Sequence, residues 1–182
     1  FRSFLGQTLR IPVMPAPVGS THLYVEDGHA SVVRACEAFG TVPILSSNIV
    51  VNTIEGIGAV SSWPKMLQLG ISGDLAWTHD AIARARDAGY RALCIAFDTP
   101  RFGRMEREMM AAHEPIRPTH PLRMGMDWET LPKVIAGAGM PLIAKGVTHP
   151  NDARRLAEMG FEVIYISNHG GHALDHGRGA ID

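Results

Sequence analysis

The sequence predicts an α/β fold built on a parallel sheet with helices outside it, and three observations carry that prediction. Short apolar runs recur along the chain, they do not alternate with polar residues, and amphipathic helical stretches separate them. Unalternated runs suit parallel strands buried on both faces. Strand–helix alternation suits a sheet covered by helices.

The runs are Ile11–Ala16, Val42–Leu45, Met66–Leu69, Ala92–Phe97, Pro141–Ala144 and Val163–Ile166. Between them, Glu26–Phe39 puts Val32, Val33, Cys36 and Phe39 on one stripe, with Gly40 as its stop. Thr78–Ala88 groups Ala81, Ile82 and Ala85, with Thr78 as the expected N-cap and Gly89 as the stop. Thr130–Ala138 is a weaker helix that places Pro132 in its first turn. Pro150 opens another, lined by Ala153, Leu156 and Ala157 and ended by Gly160. Thr99–Met126 breaks the rhythm: it has no period and carries Pro100, Pro115, Pro118 and Pro121 among arginines and methionines. A stretch of this length reads as a functional loop over the strand ends.

Composition narrows the function. A chain of 182 residues fits one domain, and 46% hydrophobic residues are too many for disorder. The net charge of −1 leaves no basic excess to displace counterions, which argues against a nucleic-acid binder. No apolar run approaches the ~20 residues of a spanning helix, so no membrane span is expected. Cys36 and Cys94 sit in apolar patterns and read as core residues of a reduced, cytoplasmic protein.

Polar residues stand repeatedly where an apolar strand ends. Ser46 follows Ile44-Leu45, Gln68 sits in Met66-Leu67-Gln68-Leu69, and Asp98 follows Ile95-Ala96-Phe97. Lys145 follows Leu142-Ile143-Ala144, and Asn168-His169 follow Ile164-Tyr165-Ile166-Ser167. Each alone has a structural explanation, such as a snorkelling lysine or a capping aspartate. Recurrence on five strands is the pattern of a (β/α)8 TIM barrel, whose active-site face is the ring of C-terminal strand ends. It favours that architecture over an open doubly wound sheet. A full barrel needs eight strands, so residues 1–182 are expected to carry about six βα units of one barrel domain. Phe1 is no translation start and Gly179–Asp182 reads as a helix beginning, so the missing units are expected in the same polypeptide.

The strongest local signal is Ser167-Asn168-His169-Gly170-Gly171-His172. Two glycines after a strand let backbone approach a flat ligand, and a histidine held there serves as a base near neutral pH. His169, His172 and His176 also invite a metal reading. That needs a helix to gather them, and Gly170-Gly171 argues against one.

With Ala16-Pro17-Val18-Gly19, Leu45-Ser46-Ser47, Met66-Leu67-Gln68-Leu69, Asp98-Thr99-Pro100 with Gly103-Arg104, and Lys145-Gly146-Val147, this motif resembles the FMN-dependent 2-hydroxy-acid dehydrogenase/oxidase family. Phe1–Arg10 resembles that family's short β-segment before the barrel. The resemblance implies FMN as cofactor and a small-molecule 2-hydroxy acid as substrate. It implies that Ala16, Pro17 and Val18 border the flavin, that Ser46 and Gln68 bond its ring, and that Lys145 lies by its N1/C2 edge. It implies His169 as the base, paired with Asp98, and a homotetramer.

Departures from the family pattern bear on substrate. Gly70 replaces its tyrosine, His172 its carboxylate-binding arginine, Met105 a second arginine and Ala96 a threonine. Imidazole does not reproduce a bidentate guanidinium, so the carboxylate site is expected to be altered, with His172 and Arg104 as the candidate substrate contacts. In the family the last two βα units hold the FMN phosphate, so 1–182 alone is expected not to hold FMN tightly. Two alternatives stay open here: FMN used for non-redox, isomerase-like chemistry, or a degenerate barrel without catalysis.

Overall fold

A computed structural model of the protein describes residues 2–47, 52–98, 106–111, 120–174 and 177–181. Strands β1 (Arg2–Phe4) and β2 (Gln7–Leu9) form an antiparallel hairpin. Five further strands form one parallel sheet: β3 (Ile44–Ser46), β4 (Met66–Leu69), β5 (Leu93–Ala96), β6 (Leu142–Val147) and β7 (Val163–Ile166). The helices are α1 (His29–Phe39), α2 (Ile54–Gly58), α3 (Leu75–Asp87), α4 (Glu106–Met110), α5 (Pro121–Met124), α6 (Leu131–Ile135) and α7 (Pro150–Glu158).

The strand order β3-β4-β5-β6-β7 separates the two candidate architectures. A doubly wound sheet reverses its order at a switch point, whereas here each strand adds beside the last in one direction. That is the winding of a (β/α)8 barrel, of which the chain carries part.

Both faces of β3–β5 are buried, and β6 largely so, which is why their runs are unalternated; β7 is half-buried with Ile166 exposed. Leu45, Leu67, Leu69, Leu93 and Ile95 pack outward on Val33, Ile57, Ala81, Ile82 and Ala85 of the helices. Val42, Ile44, Met66, Ala92, Cys94 and Ile143 face inward. Leu9, with Phe4 and Leu5, packs against this inner cluster, so the hairpin covers the N-terminal end of the sheet. Cys36 and Cys94 are buried free thiols, as their apolar settings predict; burial pushes them up to about 11 and about 12.

Several sequence expectations need correction. Ile11–Ala16 forms no ladder strand. It lies beside β3, with Ile44 N donating to the Pro15 carbonyl and Thr41 Oγ1 to the Val13 carbonyl. Pro12 and Pro15 lack the N–H groups a ladder needs. Helix α1 begins at His29 and not at Glu26, because Gly28 takes a positive φ of 54°. Helix α3 is capped by Asp74, which accepts from Trp77 N at 2.9 Å. Thr78 is buried in its first turn, and its hydroxyl donates to the Asp74 carbonyl. The aperiodic stretch 99–126 contains α4 and α5 among its described residues.

Candidate active site

Residues two apart on a strand share a face, so the inner face can be followed upward. Above the apolar layer of Ile44, Met66, Cys94 and Ile143 it turns polar. Ser46 is opposite Gln68, and Gln68 is opposite Cys94, across β3–β5. One step higher, Ala96 is opposite Lys145, and Lys145 is opposite Tyr165. Hydroxyl, amide, ammonium and phenol therefore succeed one another at the C-terminal ends of four strands.

Ser46 is 2% exposed and Lys145 5% exposed. Lys145 lies inside β6 and not just beyond it; its Nζ donates to Ser167 Oγ at 3.1 Å and sits 5.5 Å over the Tyr165 ring. Burial pushes the Tyr165 phenol up, with Cys94 adding to the effect.

Asp98 follows β5 and is almost enclosed. Its Oδ2 accepts from Gly170 N at 2.9 Å, while its Oδ1 stands 3.8 Å from His169 Nδ1. Oδ1 is buried and accepts no hydrogen bond among the described residues. Two glycines make room for this carboxylate. A Cβ at Gly146, whose φ is +94°, would lie 2.5 Å from Asp98 Cγ; one at Gly170 would lie 1.6 Å from the Asp98 carbonyl oxygen. These close approaches belong to Asp98, where the sequence suggested a flat ligand.

His169–Ala173 forms a 3₁₀ turn despite Gly170-Gly171. Residues three apart eclipse in such a turn, which brings the His169 and His172 rings to 5.2 Å, tilted by 52°. Among the described residues no group of three potential ligands is placed to hold a metal; His176 lies outside them. Burial and then Lys145 hold His169 below its ordinary value of 6.5, outweighing the opposite pull of Asp98. A carboxylate beside an imidazole raises its proton affinity. The effect of Asp98 has that sign, but the surroundings reverse the net direction.

Other expected site residues are placed more loosely. The Val18 carbonyl accepts from the buried His29 Nε2 at 3.0 Å, and His29 Nδ1 meets Thr21 Oγ1 at 3.0 Å. That couple fixes the Ala16-Pro17-Val18 segment from behind. Arg104 lies outside the described residues. Three side chains were not foreseen: His29, Tyr165 and Arg123. The inner-face parity of Val163-Ile164-Tyr165-Ile166 signals Tyr165, whereas nothing in the aperiodic loop distinguishes Arg123 from its other arginines. Arg123, on α5, lines the space above Gln68, Gly70 and Ala96. Burial lowers its guanidinium and Asp98 draws it back up.

The architecture and its inner-face polar layer define a candidate ligand site of a parallel barrel at the C-terminal strand ends. The chain belongs to the FMN-dependent dehydrogenase family, whose model matches residues 2–124 and 117–182. It is 28% identical to an L-lactate oxidase of Nostoc sp. over 99% of this chain and 58% of that protein. It is 26% identical to glycolate oxidase 3 of Arabidopsis thaliana over 94% and 54%. Among solved structures, a mandelate oxidase with benzoyl-formic acid superposes with a TM-score of 0.85 at 28% identity, over 99% of this chain and 54% of that one. A lactate oxidase of Pediococcus acidilactici shares the fold, with a TM-score of 0.89 at 24% identity over 100% of this chain and 54% of that one. The chain thus spans a little over half the length of the relatives it matches. The family's cofactor is FMN, and a mandelate oxidase neighbour carries an FMN adduct.

The donor set suits that cofactor's ring. A planar, heteroatom-rich ring system accepts hydrogen bonds along its edge, and Ser46, Gln68 and Lys145 offer a hydroxyl, an amide and a buried cation on one face.

Proposed function

We propose that this chain forms the flavin-ring and proton-transfer side of an FMN-dependent oxidoreductase that oxidises the CH–OH group of a 2-hydroxy acid to the keto product. The observation that carries the reading is the Asp98–His169 pair, 3.8 Å apart, beside the buried Lys145. When bound, FMN supplies the two-electron acceptor. Ser46, Gln68 and the 16–18 backbone would hold its ring, and Lys145 would place positive charge at the edge where reduction adds negative charge.

His169 is the base. Its Nδ1 is turned to Asp98, which leaves Nε2 to take a proton from the substrate's CH–OH group. A base must be unprotonated before it acts, and burial and Lys145 keep His169 in that state near neutrality. Asp98 then offers a carboxylate to the imidazolium that forms, and Gly146 and Gly170 fix its position. Arg123 and Met126 line the space above Gln68, Gly70 and Ala96, and His172 lies against the base from the same 3₁₀ turn.

The test is anaerobic addition of 2-hydroxy acids to the FMN-loaded protein. The reading expects loss of oxidised-flavin absorbance with one keto acid formed per flavin. Substrate conversion without bleaching would instead indicate non-redox use of FMN. Neither bleaching nor conversion across small and aryl 2-hydroxy acids would remove the enzyme reading.

A further inference from the structure

The segment that leads up to the flavin-bordering residues 16–18 is held in two different ways. Lower down, backbone and side chains of the sheet's own region hold it: the Val13 carbonyl accepts from Thr41 Oγ1 and the Pro15 carbonyl from Ile44 N. Pro17 has no N–H with which to continue such bonds. Past it, the Val18 carbonyl accepts from the first side chain of α1, His29 Nε2, at 3.0 Å. Val18 is 55% exposed and His29 3% exposed, so the imidazole lies on the protein side of the segment and open space on the other.

The imidazole is fixed from both ends. Its helix is anchored in the outer core by Ala30 and Val33, and the Gly28 carbonyl before it accepts from Ser31 Oγ at 2.8 Å. A carbonyl only accepts, so Nε2 carries the proton. Burial favours the neutral ring, which leaves Nδ1 to accept from the Thr21 hydroxyl at 3.0 Å. Two bonds thus set the tautomer and the angle of the ring. They also set the next peptide. In a trans peptide the carbonyl and the following N–H point opposite ways, so a Val18 carbonyl drawn to His29 turns the Gly19 N–H away from it. Among the described residues that N–H donates to no group.

We propose that His29, steadied by Thr21, is a positioning residue for the cofactor: it braces the Val18–Gly19 peptide so that this peptide presents its N–H to the flavin ring. The inference rests on the reading that residues 16–18 border FMN. His29 acts through Val18 and does no chemistry itself. For packing alone an apolar side chain would serve at this buried position; what the imidazole adds is a directed donor with a second bond behind it. A backbone donor held in place needs no reorganisation when the ring gains negative charge on reduction, so the brace bears on potential as well as on affinity.

The experiment measures FMN affinity, the midpoint potential of bound FMN and its oxidised absorbance spectrum in three variants. His29→Phe keeps a ring but no donor. Its Kd for FMN should rise about 2- to 13-fold, the range of one neutral hydrogen bond, with a more negative potential and a displaced absorbance band. His29→Gln restores an N–H donor and should recover most of all three. Thr21→Val preserves volume and the Val18 bond, so it should move the same readouts in the same direction by less. It decides the matter if His29→Phe does not fold. Unchanged affinity and potential in His29→Phe and Thr21→Val, or no recovery in His29→Gln, would overturn the proposal. So would a lowered melting temperature in His29→Phe with spectrum and potential unmoved, which marks a role in packing alone. Variant-dependent FMN affinity and spectrum without bleaching of the unmodified protein by any 2-hydroxy acid would leave the brace standing and remove the oxidoreductase reading. Bleaching of the unmodified protein with all three readouts unchanged in the variants would do the reverse.

Discussion

Two buried lysines at opposite ends of the sheet have different surroundings. Lys65, just before β4, is 2% exposed, and its Nζ donates to the Ser61 carbonyl at 2.6 Å and the Trp63 carbonyl at 3.1 Å. Lys145, in β6, is 5% exposed, and among the described residues its hydrogen bond is to a single hydroxyl, Ser167 Oγ. Burying a charge is costly unless polar partners replace water. Lys65 has carbonyl partners supplied by its own loop, and it serves the fold. Lys145 keeps donor capacity at the end where Ser46, Gln68, Asp98 and His169 also stand, so its remaining partner is read as a ligand. On the proposed function, the N-terminal end of the sheet is built for stability and the C-terminal end for chemistry.

The division predicts that changes at the C-terminal end alter rates far more than folding. The largest effect is expected for His169→Gln, which should slow anaerobic flavin reduction by about 10²–10⁴-fold, the usual scale of general base catalysis. Thermal unfolding should barely move, because His169 has a side chain 56% exposed. Stopped-flow absorbance and a melting curve on one preparation check both halves. Next comes Gly170→Ala. Its Cβ would overlap the Asp98 carbonyl at 1.6 Å, so the 3₁₀ turn must shift away from Asp98. Reduction should fall by about tenfold or more, since small misplacement of a catalytic group is costly. Reduction at the normal rate would show that the pair does not depend on this contact.

Much of this site was legible because burial on both faces writes itself as unbroken apolar runs, and a polar residue at such a run's end is conspicuous. Ser46, Gln68, Asp98, Lys145 and His169 were found that way, and the structure puts them at the C-terminal strand ends. Ile11–Ala16 was misread because hydrophobicity registers side chains, whereas a ladder also needs N–H donors that Pro12 and Pro15 lack. Thr and Asp share capping chemistry, so the sequence does not separate Thr78 from Asp74; burial of Thr78 and the Asp74–Trp77 bond decide between them. The position of Arg123 was illegible, since a four-residue helix without periodicity gives no sign of where it docks.

At the N-terminal end the expected order is reversed. Lys65→Met should leave flavin reduction unchanged but strand two partly buried carbonyls, costing roughly 1–3 kcal/mol in denaturant unfolding. A normal unfolding midpoint would break the contrast. A smaller effect is expected from pH. Burial holds His29 and His169 below 6.5 in the folded chain, so the unfolded chain binds more protons below that value. Stability should therefore be full above about pH 6.5 and fall as pH drops through the folded values. Flavin reduction should rise with pH through a value below 6.5 and be level at neutrality. His29→Gln should remove part of the stability slope and leave the rate profile in place.

The most direct measurement is the midpoint potential of bound FMN in Lys145→Met and Lys65→Met, taken together with their unfolding midpoints. If Lys145 places its charge at the flavin edge, its replacement should make the potential more negative by roughly 30–65 mV, the equivalent of about 1.5–3 kcal/mol for a two-electron couple. Lys65→Met should leave the potential where it is and lower stability. An unchanged potential in Lys145→Met, or equal shifts in the two variants, would contradict the assignment of the C-terminal end of the sheet to the flavin.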